Sequence, residues 1–498
     1  MSLWQNLPFF SIMLSIFSAA LCSVLPRRVA RVWTVALPVA VLLMNTVLTV
    51  ILVPYGDHYT YMMGHYPAPW GNEIRVGLLE SVTACVFSAI MALSVLGGWV
   101  RIGRDVRPEK QNLYCVVLCL LNAALLVMVY TNDLFTGYVF LEIMTLAACT
   151  LITARSKGRT LVAATRYMVM NLLGSGLFLL GVVLLYDLTG HLLMSNIRAE
   201  VERIVASGQY HRPLIMAVGL ISVGLAIKSA LFPFHTWLPD AYGYSTPTSS
   251  AILSSLVSKG YIFLLIKVFC RVIGLDFVRE SGITDILFAL GVIGNVMGSL
   301  SAIRERDIRR MISFSSVAQI GYIYMGIGMG TQAGLVAAIF QIFAHGMAKS
   351  MLFLASSGLS YASGESKFFR DLRGAALRNP WAGVAFTVGA FSMTGIPFLG
   401  GFIVKILLSQ AAMSLNNLRT MIALLSLAAS AALNTVYFLK TVITIYRTPD
   451  PHAPQGEKVS LSLPNRIALG CFVAVNLALG VFSQPVVKAI RAGLSLFE

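Results

Sequence analysis

The stretch LIMAVGLISVGLAIKSALFPFHTWLPDAY, residues 214–242, begins as an apolar membrane helix and then fails to remain one. Lys228 puts a cation inside the run, and Pro233 and Pro239 interrupt the residues after it. Charge within a membrane span is costly and tends to mark an ion path, and interrupted helices tend to mark a transporter's binding site.

Composition decides the broad class. The chain has 498 residues, 57% of them hydrophobic and only 12% charged, and its mean hydropathy is +0.78. Soluble domains carry about 25% charged residues, so this is an all-α polytopic membrane protein. A spanning helix needs about 20 apolar residues. Such runs fall at 7–25, 32–53, 77–99, 113–130, 134–154, 166–186, 213–232, 248–270, 283–302, 311–329, 332–358, 381–411, 418–445 and 465–484, which we number as spans 1 to 14. Span 1 lacks a charged leader and a small-residue cleavage site, and it reads as a retained membrane helix rather than a signal peptide. No loop is long enough to bury a core of its own. The segment SNIRAEVERIVASGQ reads as a short amphipathic helix on the outer surface, and YRTPDPHAPQGEK as a Pro-rich loop.

Basic residues set the expected orientation. The loops after spans 1, 3, 5, 9, 11 and 13 hold 22 of the 37 Lys and Arg residues, against 9 on the opposite side. Cytoplasmic loops are enriched in Lys and Arg, so both termini are expected on the non-cytoplasmic side of a bacterial or archaeal cell membrane. The same asymmetry accounts for most of the net charge of +16 and removes the argument for nucleic-acid binding. The seven cysteines form no CxxC or Cys/His cluster, so no metal site, cofactor or disulfide is expected.

Six lysines remain inside spans: Lys228, Lys259, Lys267, Lys349, Lys405 and Lys440. Lys267 and Lys440 lie near span ends, where a long stem can snorkel to the headgroups. The others need a different account. Asp133 reads as a helix start, but Glu142 lies about 13 Å further along span 5 and needs a partner, for which Lys228 is the natural choice. In low dielectric a change in the separation of a Glu–Lys pair changes which protonation state is favoured, so the pair serves as a switch or, alternatively, as a static salt bridge that fixes helix packing. Lys259 is accompanied by Ser254, Ser255 and Ser258, and His345 and Lys349 share a helix face at a spacing of four. A series of titratable groups on several spans reads as a proton relay.

Lys405 follows Pro397 and the Gly400–Gly401 pair, a second broken helix. Matching breaks in spans 7 and 12 suggest two inverted five-helix repeats, spans 4–8 and 9–13. The expected organisation is a three-helix segment at 1–110, repeats at 111–275 and 276–446, and a loop with the last span at 447–498.

The segments KSALFPFHTWLPDAYGYSTPTSSAILSSLVSKGYIFLLIK (228–267), RDIRRMISFSSVAQIGYIYMGIGMG (306–330), AHGMAKSMLFL (344–354) and TGIPFLGGFIVK (394–405) resemble the antiporter-like membrane subunits of respiratory complex I, membrane-bound hydrogenases and Mrp-type Na+/H+ antiporters. The resemblance covers about residues 110–445. It implies an input pair at Glu142 and Lys228, a central relay at Lys259, a gate to the far half-channel at Lys405, and further polar-axis positions at His235, His345 and Lys349. A lysine at 405 departs from the complex I subunit that carries glutamate there, and no long lateral helix follows span 14. That leaves the Mrp D-like group, the complex I subunit nearest the quinone module, and related hydrogenase subunits, and the motif wording leans towards the Mrp D-like or hydrogenase group.

The expected function is a proton-translocating, or proton/sodium-antiporting, subunit of a multisubunit energy-converting complex, with other membrane subunits as partners and no catalytic or redox site of its own. Two alternatives stay open: a stand-alone secondary transporter of a small solute, and a non-conducting structural subunit.

Overall fold

The computed structural model describes residues 3–66, 71–448 and 460–497. Most of the Pro-rich segment 446–458 lies outside them. Among the described residues, twelve helices are long and apolar enough to cross a membrane, at spans 1–9, 11, 13 and 14. Helices dominate because a chain in lipid must satisfy its backbone polar groups within each segment. The other two runs differ in kind. Span 10 is a continuous helix, Ile308–Gly328, diluted by Arg309, Arg310 and several serines. Span 12 is split into Pro380–Thr394 and Gly400–Ala412.

The all-α expectation omits one feature. Tyr59–Met62 and Glu73–Val76 pair as an antiparallel hairpin between spans 2 and 3. Strands of four residues carry too little alternating pattern to stand out in a short polar connection. The segment Met194–Ser207 is a helix that buries Met194, Ile197 and Val201, the one-sided pattern expected of an amphipathic element.

Burial separates central helices from peripheral ones. The most apolar windows of Pro247–Ile273 and Gln332–Tyr361, spans 8 and 11, are 100% buried, whereas that of span 14 is 22% buried and that of span 2 is 33% buried. The outer helices turn residues such as Leu43, Val50, Leu172 and Leu173 outward. Exposed apolar side chains of this kind suit contact with lipid or with other membrane subunits. The two enclosed helices nonetheless carry Lys259, Lys267, His345 and Lys349, all buried.

The expected breaks occur where small or constrained residues end a helix. Span 7 is helical over His211–Lys228 and stops at the lysine. Ala230 then takes a φ of 62°, and the chain resumes as a 3-10 turn at Phe234–Trp237 and a short helix at Leu238–Tyr244. In span 12, Gly395 at φ 87° ends the first half. Span 8 is less regular than a plain apolar run suggests, with π-helical turns at Leu253–Val257 and Val268–Ile273 on either side of Lys259. Such turns interrupt the regular i to i−4 ladder and often occur at functional positions.

Two basic residues are placed differently from their sequence reading. Lys267 does not snorkel outward: its Nζ is buried and donates to the carbonyls of Val129 (2.8 Å) and Thr131 (2.5 Å) at the end of span 4. Those C-terminal carbonyls lack helical partners and present the negative end of the helix dipole, which suits a cation. Arg271 is likewise buried rather than in an outer loop, 3.1 Å from Glu80 of span 3 and hydrogen-bonded to Asn132. A span-end position in sequence does not reveal that Glu80 of span 3, Asn132 after span 4 and the ring of Phe497 surround it. Lys440, by contrast, is exposed.

The Arg271–Glu80 pair is therefore a tie between spans 3 and 8. Glu80→Gln is expected to leave the guanidinium uncompensated and to cost about 3–5 kcal/mol. The check is the thermal unfolding midpoint in detergent, where Glu80→Gln with Arg271→Met should recover much of what Glu80→Gln alone loses.

Candidate functional site

The site is built on the meeting of spans 5, 6 and 7. Spans 6 and 7 approach closely at Gly174 and Gly224: a Cβ on Gly174 would lie 2.8 Å from the Gly224 carbonyl and 3.0 Å from Cγ of Lys228. Small residues permit such backbone contact between membrane helices. The contact seats the Lys228 stem against span 6. From there its Nζ reaches 3.4 Å from Oε1 of Glu142 and donates to Thr145 Oγ1 at 2.7 Å. Lys228 is fully buried, and Glu142 retains 26% side-chain exposure. The carboxylate also accepts a hydrogen bond from Ser175. Asp133 is an N-cap that accepts from the amide of Thr136.

A hydroxyl cluster extends the pair inward. Thr145 is 3.1 Å from the Tyr261 hydroxyl, and the Lys228 ammonium lies 5.3 Å over the Tyr261 ring. Tyr261 follows Lys259 by two residues on span 8. Lys259 is buried and donates to the Ser254 carbonyl at 2.6 Å and to Ser258 Oγ at 3.1 Å. The π turn over Leu253–Val257 lies immediately before it and includes that Ser254 carbonyl.

The second half differs in its partners. Lys349 donates to the Ile312 carbonyl at 2.9 Å and also binds Ser315 of span 10. His345 is buried, has no hydrogen-bond partner at either ring nitrogen among the described residues, and lies within Coulombic range of Lys259 and Lys349. Lys405 is half-buried and donates to the Thr394 carbonyl at the break in span 12. Gly395 makes that possible, because a Cβ there would lie 2.6 Å from Lys405 Nζ. His235 stands on the 3-10 turn after the span 7 break, its ring stacked on Phe232 with centroids 5.2 Å apart.

Glu142 and Lys228 are thus joined directly, Lys259, His345 and Lys349 form a central group, and Lys405 and His235 each lie beside a helix break. Among the described residues, Lys259, Lys349 and Lys405 have no carboxylate within salt-bridge distance. Sequence reasoning missed Thr145, Ser175, Tyr261 and Ser315. Each is an ordinary hydroxyl residue in an apolar span, and nothing in its local sequence signals that a lysine from another span lies beside it.

The comparisons with known proteins fit this arrangement. A family model described as "NADH:quinone oxidoreductase/Mrp antiporter, TM" matches residues 131–430. The chain belongs to this family. It is 31% identical over 509 residues to NADH-quinone oxidoreductase subunit N of Desulforudis audaxviator, covering 97% of each chain. It is also 31% identical over 456 residues to the putative antiporter subunit mnhD2 of Staphylococcus haemolyticus, covering 91% of this chain and 88% of that one. Its fold is similar to a chain of the archaeal membrane-bound sulfane sulfur reductase, with a TM-score of 0.87, 24% identity and coverage of 99% and 98%. A chain of the Mrp complex from Dietzia sp. DQ12-45-1b gives a TM-score of 0.87, 23% identity and coverage of 100% and 98%. This is therefore an antiporter-like membrane subunit.

At the face carrying the basic loops, Arg309 ties span 10 to the span 7–8 connection. Its Nη2 donates to the Ser245 carbonyl (2.5 Å), to Ser250 Oγ (2.6 Å) and to the Tyr242 carbonyl (3.3 Å). Lys367, in the loop after span 11, donates to the Gly243 carbonyl beside it. Burial, followed by the Arg309 guanidinium, pushes the Lys367 ammonium down to about 7; Arg155 acts in the same direction, and Asp307 and Asp105 oppose it. The folded chain then holds less proton on this group than the unfolded chain from about pH 7 to about pH 10.4, so its contribution to stability rises with pH through that window. Competitive amine labelling read out by mass spectrometry should give Lys367 a titration midpoint near 7. A midpoint at the ordinary lysine value, about 10.4, would contradict the burial argument.

Proposed function

We propose that this chain carries protons through the membrane as a subunit of a multisubunit energy-converting complex. The observation that carries this reading is the set of buried amines on spans 7, 8 and 11, held by hydroxyl and carbonyl oxygens, with an imidazole that has no hydrogen-bond partner among the described residues in Coulombic range of two of them. Oxygens of that kind accept a hydrogen bond from an ammonium without fixing its charge as a close carboxylate would. Among the described residues, Lys228 alone of these amines has such a carboxylate, which is the arrangement expected of a switch at one end of a relay.

In this scheme a proton enters from the cytoplasmic side near Glu142 and Lys228. Thr145 and Tyr261 lead from the pair towards Lys259, with water completing the connection. The proton then passes through the His345 and Lys349 region to Lys405 and leaves on the outer side. His235 contributes at the span 7 break. The driving energy comes from a partner's redox reaction or from an opposing ion gradient, with Na+ as the counter-ion in the antiport form. The complexes in which similar chains occur support other membrane subunits as partners.

The same reading includes fourteen spans, with spans 4–8 (111–275) and 9–13 (276–446) as inverted repeats, a three-helix segment at 1–110 and the last span within 447–498. The lysines beside the breaks in spans 7 and 12 support the repeat, and the basic loops support termini on the non-cytoplasmic side.

Lys228→Ala and Glu142→Ala, each assembled with its natural partner subunits and reconstituted into vesicles, are expected to lose most of the pH gradient formed by the unaltered complex. Undiminished gradient formation in both variants would rule the scheme out, and an assembled but inactive Lys259→Ala complex would extend it to the centre of the membrane.

A further inference from the structure

A cavity of about 780 Å³ lies at the face carrying the basic loops, apart from the lysine axis. It is bounded by the ends of spans 3 and 11, the start of spans 6 and 10, and the connection between spans 7 and 8. Its charge is one-sided. Arg104, Arg155, Lys157, Arg159, Arg309 and Lys367 line it, together with Arg101. Three acids share the wall, and each is already engaged: Glu365 by Arg101 at 2.7 Å, Asp105 by Arg155 at 3.1 Å, and Asp307 by the amides of Arg309 and Arg310 that it caps. Arg104 and Arg159 rest on the rings of Tyr361 and Tyr244, and no carboxylate lies within salt-bridge distance of Lys157 or Lys367 among the described residues.

Two further observations point to an occupant. Arg309 lines the cavity and is 2% exposed, and among the described residues its Nε has no hydrogen-bond partner although Nη2 has three. A guanidinium stays charged even when buried, so Arg309 adds a fixed positive charge to the cavity wall. On another wall, the 32-residue helix Gly158–Thr189 begins, with Gly158, Arg159 and Thr160 lining the space. The first amides of a helix have no intrahelical acceptor, and the helix dipole favours an anion there.

We infer that this cavity binds a phosphate-bearing anion, held between the start of span 6 with Lys157 and Arg159 and the buried edge of Arg309. The space is far larger than a bare phosphate needs, and it lies at the membrane boundary on the side assigned to the cytoplasm, where anionic headgroups are met by basic residues. Phosphate recognition is the chemistry shared by a lipid headgroup and a soluble phosphate ion. The site does not depend on the proton scheme.

The test uses the purified full-length protein and tracks its thermal unfolding midpoint. Potassium phosphate is titrated against potassium chloride of equal ionic strength, and in a second arm mixed detergent micelles containing phosphatidylglycerol are compared with micelles of the nonionic detergent alone. At least one phosphate probe should raise the midpoint above its control: phosphate alone assigns a soluble ion, phosphatidylglycerol alone a lipid headgroup, and both together a site that reads the phosphate group itself. Lys157→Gln with Arg159→Gln, both exposed positions, should weaken the effective probe about tenfold, while Lys157→Arg with Arg159→Lys should retain it. No rise with either probe, or a rise that the double glutamine variant leaves unchanged, overturns the proposal.

Discussion

The rest of this structure depends on the cost of placing primary amines inside helices that water does not reach from the side. Spans 8 and 11 are the most enclosed in the molecule, and they carry Lys259, Lys267, His345 and Lys349. An ammonium in such a place needs an oxygen shell, because an isolated buried charge costs several kcal/mol even after relaxation. The chain supplies that shell from the lysine's own helix or from a neighbour: the Ser254 carbonyl at a π turn of span 8 itself, the Ile312 carbonyl and Ser315 of span 10, and the last carbonyls of span 4. Irregular backbone is tolerated at this depth because it is enclosed by protein and its exposed carbonyls find cations.

The same requirement explains where the helices break. Span 7 stops at Lys228, and span 12 breaks beside the residue to which Lys405 donates. In both places a terminated helix leaves carbonyls without an amide partner, and a lysine lies within reach of the break or of a neighbouring helix's hydroxyl. Glycine sets the geometry around each: Gly174 and Gly224 bring two spans together against the Lys228 stem, and Gly395 leaves room for the end of Lys405. The lysines and the breaks are therefore one design rather than two coincidences. Arg271 and Glu80 show the contrasting solution, a close ion pair that fixes span 3 to span 8.

Much of this was readable from residue order. The spans follow from apolar runs, because lipid imposes length and composition on each helix separately. The breaks follow from Pro233, Pro239, Pro397 and the Gly400–Gly401 pair, whose effects are local. The pairing of Glu142 with Lys228 was readable because a lone acid and a lone base at depth each need a partner, and few candidates exist. The two-stranded hairpin and the π turns were not readable, since they depend on pairing and packing that short polar or uniformly apolar sequence leaves open.

Residue order alone thus establishes that this is a polytopic helical membrane protein, which residues bring charge into it, and where two of its helices fail. The surroundings of each charge were settled only by tertiary structure. Lys259, Lys267 and Lys405 are alike as lysines in apolar runs, yet one lies at a π turn in the centre, one neutralises the end of span 4, and one rests half-buried on a helix break. The physical reason is that Lys267 is held by carbonyls at the end of another span, and Lys259 and Lys405 by carbonyls of their own spans at a π turn and a helix break; local sequence records neither which spans will meet nor where an apolar helix will bend.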